Sequence, residues 1–153
     1  MSNNNGVGQL AEFTGLIASQ VPILGAMGVT VLKLAPGVAA VEAPQEPNVN
    51  HAGMFYAGSL FSLAEVLGGL LPLVTWEMAG YVPIVADVQI RFRKPALGAI
   101  CASTELSEEE VERVRSEIAA GERKVWFTLE ASLTDSNGLE VASTVGKYVL
   151  LAR

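Results

Sequence analysis

The strongest hydrophobic pattern in the chain is a nearly unbroken apolar run between His51 and Glu77, which contains one charged side chain, Glu65. The run favours a helix, and its helix-breaking residues predict that the helix ends between Pro72 and Gly80. A helix that is apolar on nearly all sides belongs in a protein core. We therefore predict one long central helix that carries a lone carboxylate near its middle.

Shorter elements surround this helix, and their patterns alternate between helix and strand. Residues 8–20 have apolar side chains at helical spacing, and Pro22 and Gly25 are expected to end that helix. Stretches rich in β-branched residues predict strands on both sides of the central helix. The predicted strands cover residues 27–37, 38–44, 81–98, 99–107, 124–135 and 139–152.

Two local signals define a further helix and a hairpin in the second half of the chain. Ser107 is a good N-cap, Glu110 stands three residues later as its capping-box partner, and Gly121 is a stop signal. We therefore predict a surface helix over residues 107–121. Asn137 and Gly138 lie between two strand patterns and predict a hairpin there.

The order of these elements restricts the fold to a small number of architectures. An antiparallel sheet that wraps one hydrophobic helix would bury that helix almost completely and would explain its apolar circumference. We predict a single α+β domain over residues 1–153, with an antiparallel sheet of five to six strands around the central helix. Residues 1–25 would form an N-terminal helix and lead-in, and residues 107–121 a helical insertion.

Composition excludes several classes of function. Of the 153 residues 50% are hydrophobic, the formal net charge is −6, and the ten Lys and Arg residues form no basic block, so no nucleic-acid partner is expected. Cys101 is the only cysteine and His51 the only histidine, which disfavours a disulfide framework and a thiolate or His-rich metal site. We therefore expect no metal and no cofactor.

A transmembrane helix is an alternative for residues 52–76, because this stretch has the required length. The central Glu65, several glycines, Pro72 and the lack of a flanking basic residue oppose that alternative. We expect a buried core helix and no membrane partner. The N-terminal segment has neither a basic region nor an apolar signal core, so we also expect a cytoplasmic protein.

Glu65 is the main candidate for chemistry. Residues three and four apart share one face of a helix, so Gly58, Ser62, Glu65 and Gly69 form a stripe of small residues around a carboxylate. Burial should raise the pKa of Glu65, which suits a general base or a nucleophile near neutral pH. The alternative is a structural carboxylate held by a backbone amide or an arginine.

Residues 56–65, YAGSLFSLAE, resemble a motif of hotdog-fold acyl-CoA thioesterases of the 4-hydroxybenzoyl-CoA and PaaI-like types. That motif, H-G-G-x-x-x-x-L-A followed by Asp or Glu, begins the central helix of the family. It aligns here without a gap, and the matching residues are Gly58, Leu63, Ala64 and Glu65. Tyr56 stands at the motif histidine and Ala57 at its first glycine.

Two further stretches support the resemblance. Asn50, His51 and Gly53, in the sequence NHAG, are similar to the Asn-His-x-Gly of a related thioesterase branch. Residues 87–98, DVQIRFRKPALG, are similar to the long strand of the family, with its basic-Pro-x-x-Gly end. With the element order, the resemblance covers about residues 28–152.

The resemblance implies a hotdog fold and a thioesterase mechanism. In the family a backbone N–H at the helix N-terminus, here of Ala57 or Gly58, polarises the thioester carbonyl, and the carboxylate, here of Glu65, activates water or attacks directly. Ala57 and Glu65 are eight residues apart, about 12 Å along one helix, which is too far to serve one carbonyl. The resemblance therefore implies a homodimer or a dimer of dimers, with the site at the interface.

Basic residues at the end of the long strand are candidates for substrate binding. Arg91, Arg93 and Lys94 are expected to contact the phosphates of coenzyme A or of a carrier-protein pantetheine, with a solvated strand face as the alternative. Ser62 and Gly53 complete the substrate-binding candidates.

The polar residues before the helix are the remaining catalytic candidates. Asn50 or His51 would replace the contact made by the motif histidine, and a structural role of His51 as a loop residue that caps the helix is the alternative. His51 and Glu65 are fourteen residues apart, the spacing of the histidine and the acid in β-hydroxyacyl dehydratases and enoyl hydratases on the same fold. The proline-rich loop of those enzymes is missing here, so that function is the second choice, and a non-catalytic acyl-CoA-binding module is the third.

Overall fold

The chain folds into an antiparallel sheet with the long apolar helix packed on one face. The structure is a computed structural model that describes residues 4–153. Its elements in chain order are α1 (Asn4–Gln20), α2 (Pro22–Ala26), β1 (Thr30–Ala35), β2 (Val38–Ala43), α3 (Ala57–Glu65), α4 (Leu67–Thr75), β3 (Tyr81–Phe92), β4 (Ile100–Glu105), α5 (Glu108–Ala119), β5 (Lys124–Thr134) and β6 (Glu140–Ala152).

The six strands form one sheet in the order β1-β2-β4-β5-β6-β3, with every neighbouring pair antiparallel. The central helix comes between β2 and β3 in the chain, so the strand that follows it is added at the far edge of the sheet. This arrangement is the predicted hotdog fold of the α+β class. The predicted element order, including the helical insertion before β5, is confirmed.

Alternation in the strands explains which face of the sheet receives the helix. Along β5 buried and exposed residues alternate almost without exception, as expected for a strand with one face in the core. Leu63, Leu67 and Leu71 of the central helix are fully buried on that side. Burial of each such leucine contributes about 1.5 to 3 kcal/mol to stability, so the contact between helix and sheet is a major part of the core.

The two edges of the sheet differ. At the β1 edge helix α1 lies close by, and the backbone N–H of Val31 donates to Thr14 Oγ1 at 2.9 Å. At the β3 edge apolar side chains are solvent-exposed on a strand of twelve residues, among them Ile84 (43% exposed), Val85 (42%) and Phe92 (54%). A long edge strand with exposed apolar side chains is a surface on which another strand can pair.

The prediction that the central helix is buried almost completely is wrong for the single chain. About half of the stretch Ala57–Thr75 is buried, and its large apolar residues Phe61 and Leu73 are exposed. The stretch is long and apolar enough by composition to cross a membrane, but its buried half packs on the sheet. A sheet covers only one side of a helix, so the opposite side, which includes Glu65, stays open.

The central helix is also locally irregular at Val66, just after Glu65, although Val66 keeps helical backbone angles (φ −59°, ψ −24°), and the sequence did not predict this irregularity. Helix α3 ends at Glu65 and α4 begins at Leu67, and the Gly69 N–H donates to the Val66 carbonyl at 3.0 Å. The hydroxyl of Tyr148 approaches the Glu65 carbonyl oxygen at 3.4 Å.

Two predicted helix ends need a smaller correction. Pro22 ends α1 but also begins α2, because proline is favoured in the first turn of a helix. Ser107 is the N-cap of α5, as predicted, and its Oγ accepts from the Glu110 N–H at 3.2 Å. The Glu110 carboxylate does not complete the capping box, since it pairs with Arg113 at 2.6 Å.

Tyr148 packs against the central helix at a glycine. Its ring stacks on Phe127 with 5.4 Å between the centroids, and Phe127 in turn meets Trp76 edge to face. A Cβ added at Gly68 would lie 2.0 Å from Cε1 of Tyr148, whereas a Cβ at Gly69 would meet no atom within 4 Å. The glycine at position 68 is therefore what allows β6 and the helix to approach each other.

This packing predicts opposite outcomes for two neighbouring glycines. Gly68→Ala should destabilise the protein by about 1 to 3 kcal/mol, because the buried ring of Tyr148 has to move. Gly69→Ala is the matched control and should be neutral or stabilising by up to about 1 kcal/mol, since alanine favours the helix. Urea unfolding of both variants measures the difference, and equal stabilities would contradict the packing described.

Candidate functional site

Glu65 is the last residue of α3 and lies at the border between the buried and the open side of the central helix. Within residues 4–153 its carboxylate accepts no hydrogen bond and forms no ion pair. The alternative of a carboxylate held by a backbone amide or an arginine is therefore not what the structure shows. Burial raises the pKa of Glu65 above its usual value, as predicted.

The first turn of α3 offers backbone N–H groups. The N-cap residue is Tyr56, whose side chain makes no capping hydrogen bond, so the N–H groups of Ala57, Gly58 and Ser59 keep no side-chain partner. Ala57 has helical backbone angles, and no non-glycine residue of the described chain has positive φ. Substitution of alanine for the motif glycine therefore leaves this N–H in place. A carbonyl oxygen that gains negative charge is favoured at such a helix end.

The predicted stripe of small residues is present on the partly open side of the helix. Gly58, Ser62, Glu65 and Gly69 are all partly exposed, and the Ser62 hydroxyl donates to the Gly58 carbonyl at 2.9 Å. The Ser62 hydroxyl therefore already has a hydrogen-bond acceptor within the helix. The substrate-binding role of Ser62 stays a prediction.

A groove of about 510 Å³ lies next to the first turn of α3. Helix α2 forms one wall, through Ile23 and Ala26, and Gly58, Ser59 and Ser62 form another. Asn48 also lines this groove. Its Nδ2 donates to the carbonyls of Met27 and Pro44, both at 2.8 Å, while its Oδ1 is buried and has no partner. An unsatisfied buried acceptor is rare and costs free energy, so this oxygen marks a place for a hydrogen-bond donor.

Asn50 and His51 belong to a tight loop just before the helix. The Asn50 Oδ1 accepts from the backbone N–H groups of Ala52 (2.9 Å) and Met54 (3.1 Å), so its acceptor holds the loop together. His51 is exposed, and the helix end has no side-chain cap, which argues against a capping role for it. Gly53 adopts φ +75°, and its carbonyl accepts from Gln45 at 2.9 Å. Catalytic or binding roles of these loop residues stay predictions.

The three basic residues at the end of β3 lie apart from Glu65 in this chain. Arg93 Nε is 3.0 Å from Glu140 Oε1, and Arg93 also donates to Ser143 Oγ, on the sheet face opposite the helix. Side chains alternate along a strand, so Arg91 shares that outer face. Arg91 and Lys94 are exposed. Within one chain the structure brings neither Arg91 nor Arg93 to the same side of the sheet as the carboxylate.

Two features near the candidate site were not predicted. The sequence left Asn48 open between a turn former and a ligand contact and did not indicate its buried oxygen, and Tyr148 had no distinguishing signal within the strand pattern of β6. Tyr148 is 83 positions from Glu65, and burial, with a smaller contribution from the nearby Glu65 carboxylate, raises the pKa of the Tyr148 hydroxyl. No local pattern reveals such a contact, because it depends on the register of β6 below the helix.

The described residues contain no group of three or more His, Cys, Asp or Glu side chains that could hold a metal ion. The candidate site offers the carboxylate of Glu65 and the backbone N–H groups of the first turn of α3, and the amide of Asn48 lies in the adjoining groove.

Residues 10–152 match the family described as "Putative thioesterase (yiiD_Cterm)". The match spans nearly the whole chain, and this protein belongs to that thioesterase family. None of the curated proteins compared matches the chain.

Solved structures agree with this assignment. A protein from Pseudomonas aeruginosa described as a probable thioesterase is 34% identical, with a TM-score of 0.83 over 92% of this chain and 93% of that one. A putative thioesterase from Shewanella oneidensis is 23% identical, with a TM-score of 0.73 over 93% and 96%. A protein of unknown function from Chlorobaculum tepidum is 18% identical, with a TM-score of 0.78 over 97% of both chains. The latter two show the fold alone.

The raised pKa of Glu65 predicts a pH-dependent gain in stability for Glu65→Gln. The folded state holds the Glu65 proton more tightly than the unfolded chain, so this group favours folding at low pH and loses that contribution as pH rises through the folded-state pKa. Glutamine does not titrate. Glu65→Gln should therefore melt a few degrees above the wild type at pH 8, and the gap should close near pH 4.

Glu109→Gln removes one exposed carboxylate and controls for the change in net charge. Melting temperatures of the three proteins across this pH range are the measurement. A Glu65→Gln variant that is less stable than the wild type at pH 8 would mean that the charged carboxylate has a stabilising partner.

Proposed function

We propose that this protein hydrolyses acyl-CoA thioesters, with Glu65 as the catalytic carboxylate. The observation that carries the proposal is the environment of Glu65, a partly buried carboxylate with a raised pKa and no internal partner, on the open side of the central helix. A carboxylate kept without a partner costs stability, and such costs are typical of catalytic sites. The thioesterase family of the chain supports the same conclusion.

The proposed mechanism uses the carboxylate and the helix N-terminus together. The ionised Glu65 takes a proton from water, the hydroxide attacks the thioester carbonyl carbon, and the carbonyl oxygen becomes negative. The first-turn N–H groups at Ala57 and Gly58 stabilise this oxygen. The C–S bond then breaks, and the coenzyme A thiolate receives the proton from Glu65. A variant of this mechanism uses the same carboxylate and N–H groups. In it Glu65 attacks the thioester carbonyl carbon directly, and water then hydrolyses the resulting acyl-enzyme anhydride.

The site is proposed to be completed by a second copy of the chain. The N–H groups at Ala57 and the carboxylate of Glu65 are about 12 Å apart on one helix, so each protomer lacks one of the two groups that a single carbonyl needs. The exposed edge strand β3 supplies a surface for pairing, whereas the β1 edge contacts α1. We propose a homodimer, or a dimer of dimers, in which the two helices face each other.

Coenzyme A phosphates are proposed to bind at the end of β3. Arg91 and Lys94 are exposed and form no ion pair in the described chain, which leaves both available to an anion. Arg93 is paired with Glu140, so it is the weaker candidate of the three.

Glu65→Gln should lower kcat for acyl-CoA hydrolysis by about 10² to 10⁴-fold, the usual contribution of general acid–base catalysis. In the wild type kcat/KM should rise with pH through the raised pKa of Glu65, because only the ionised carboxylate accepts a proton. Thiol released from a series of acyl-CoA thioesters measures both effects, with Glu109→Gln as the control.

Different outcomes of this assay distinguish the functions considered. Near wild-type turnover in Glu65→Gln would refute the role of the carboxylate. Loss of crotonyl-CoA absorbance without thiol release would indicate a hydratase. If acyl-CoA raises the melting temperature of the wild type and of Glu65→Gln, and neither protein releases thiol, the result would indicate a binding module.

The edge-strand dimer predicts a linked change in mass and activity. The double variant Ile84→Lys, Val85→Lys places two charges on the open edge and should sediment as a monomer. Its kcat should fall by about 10² to 10³-fold, the usual effect of removing one oxyanion donor. Leu32→Lys is the matched control, because Leu32 is equally exposed on the opposite edge strand. A fully active monomer would refute the shared site.

A further inference from the structure

A second groove, here called the α1–α4 groove, lies on the other side of Glu65 from the groove at the helix N-terminus. It has a volume of about 370 Å³ and is bounded by the end of α1, by α4 and by the first residues of β3. Its walls are mainly aliphatic, and they include Leu16, Ile17, Val66, Leu70 and Leu73.

The α1–α4 groove begins close to Glu65 along the central helix. Val66 directly follows Glu65, and Gly69 lies four positions on, one helical turn or about 6 Å along the same face. The groove therefore begins within one helical turn of Glu65. Gly69 has no side chain and no atom within 4 Å of its Cβ position, so the helix leaves this part of the groove empty.

The polar groups around the two grooves differ. In the α1–α4 groove the Tyr81 hydroxyl is engaged with the Glu122 carbonyl at 2.7 Å, and Gln20 and Arg153 are solvent-exposed. No buried polar atom of this groove lacks a partner in the described chain. The groove at the helix N-terminus, by contrast, is lined by Asn48, a residue with 3% exposure whose buried Oδ1 has no hydrogen-bond partner. The α1–α4 groove therefore suits the acyl group of a thioester when that group is apolar. A polar acyl group would lose its hydrogen bonds to water there without replacement.

We propose that the α1–α4 groove binds the alkyl chain of a straight-chain fatty acyl-CoA, and that Gly69 sets the chain length accepted. This inference rests on the proposed thioesterase function. A volume of 370 Å³ has room for on the order of a dozen chemical groups, such as methylenes, that are each about as large as a water molecule. An octanoyl chain fits within it, and each further buried methylene should raise kcat/KM by about fourfold until the groove is full.

Gly69→Leu tests the proposal, because the added side chain occupies the groove one turn from Glu65. The measured quantity is the ratio of kcat/KM for octanoyl-CoA to that for butyryl-CoA. We expect this ratio to fall at least about tenfold in Gly69→Leu, since about two or more methylenes lose their place. Leu73→Ala enlarges the groove and should raise the ratio of dodecanoyl-CoA to octanoyl-CoA.

Gly8→Leu is the matched control, since Gly8 is an exposed helical glycine of α1 with no atom within 4 Å of its Cβ position and does not line the groove. An unchanged octanoyl-to-butyryl ratio in Gly69→Leu, or an equal loss for both substrates, would overturn the proposal. A change in sedimentation without a change in the ratio would assign the groove to a protein interface and would also overturn it.

The two proposals fail in different ways. Absence of thiol release by the wild type, or full activity in Glu65→Gln, would refute the thioesterase function. Hydrolysis that depends on Glu65 but shows no chain-length response to Gly69→Leu would leave that function intact and refute only the position of the alkyl chain.

Discussion

The contact between the central helix and the inner face of the sheet is the interaction on which the rest of the structure depends. The helix packs on the inner face of the sheet through three fully buried leucines, Leu63, Leu67 and Leu71. Tyr148 of β6 reaches the helix only because position 68 is a glycine. One side of the helix is thereby fixed in a dense core, while the other side remains open.

This division of the helix into two sides explains the properties of Glu65. A carboxylate on the core side would be too costly to bury without a partner, and one in full solvent would have an ordinary pKa. At the border Glu65 is desolvated enough for its pKa to rise, yet its side chain stays partly exposed, and one groove begins on the helix face on either side of it. The buried side provides the rigid support that a catalytic group needs, and the open side provides room for a substrate.

Sequence reasoning predicted much of the fold and singled out Glu65 as the main candidate for chemistry. Periodicity and turn residues predicted every strand and the order of the elements, because these signals are local. Glu65 was identifiable because a lone charge in a long apolar run is rare. The irregularity after Glu65, the unsatisfied oxygen of Asn48 and the contact of Tyr148 were not predictable. Each depends on groups that are distant in sequence, and no pattern along the chain records their distance in space.

The amino-acid sequence alone determined that a helix with one carboxylate would lie against an antiparallel sheet, since burial of apolar surface leaves few other arrangements for this order of elements. Only the tertiary structure decided which side of the helix is covered, where Arg93 points and which edge of the sheet remains open. The physical reason is that hydrophobic burial is non-directional, whereas strand order and register decide which neighbours each side chain meets.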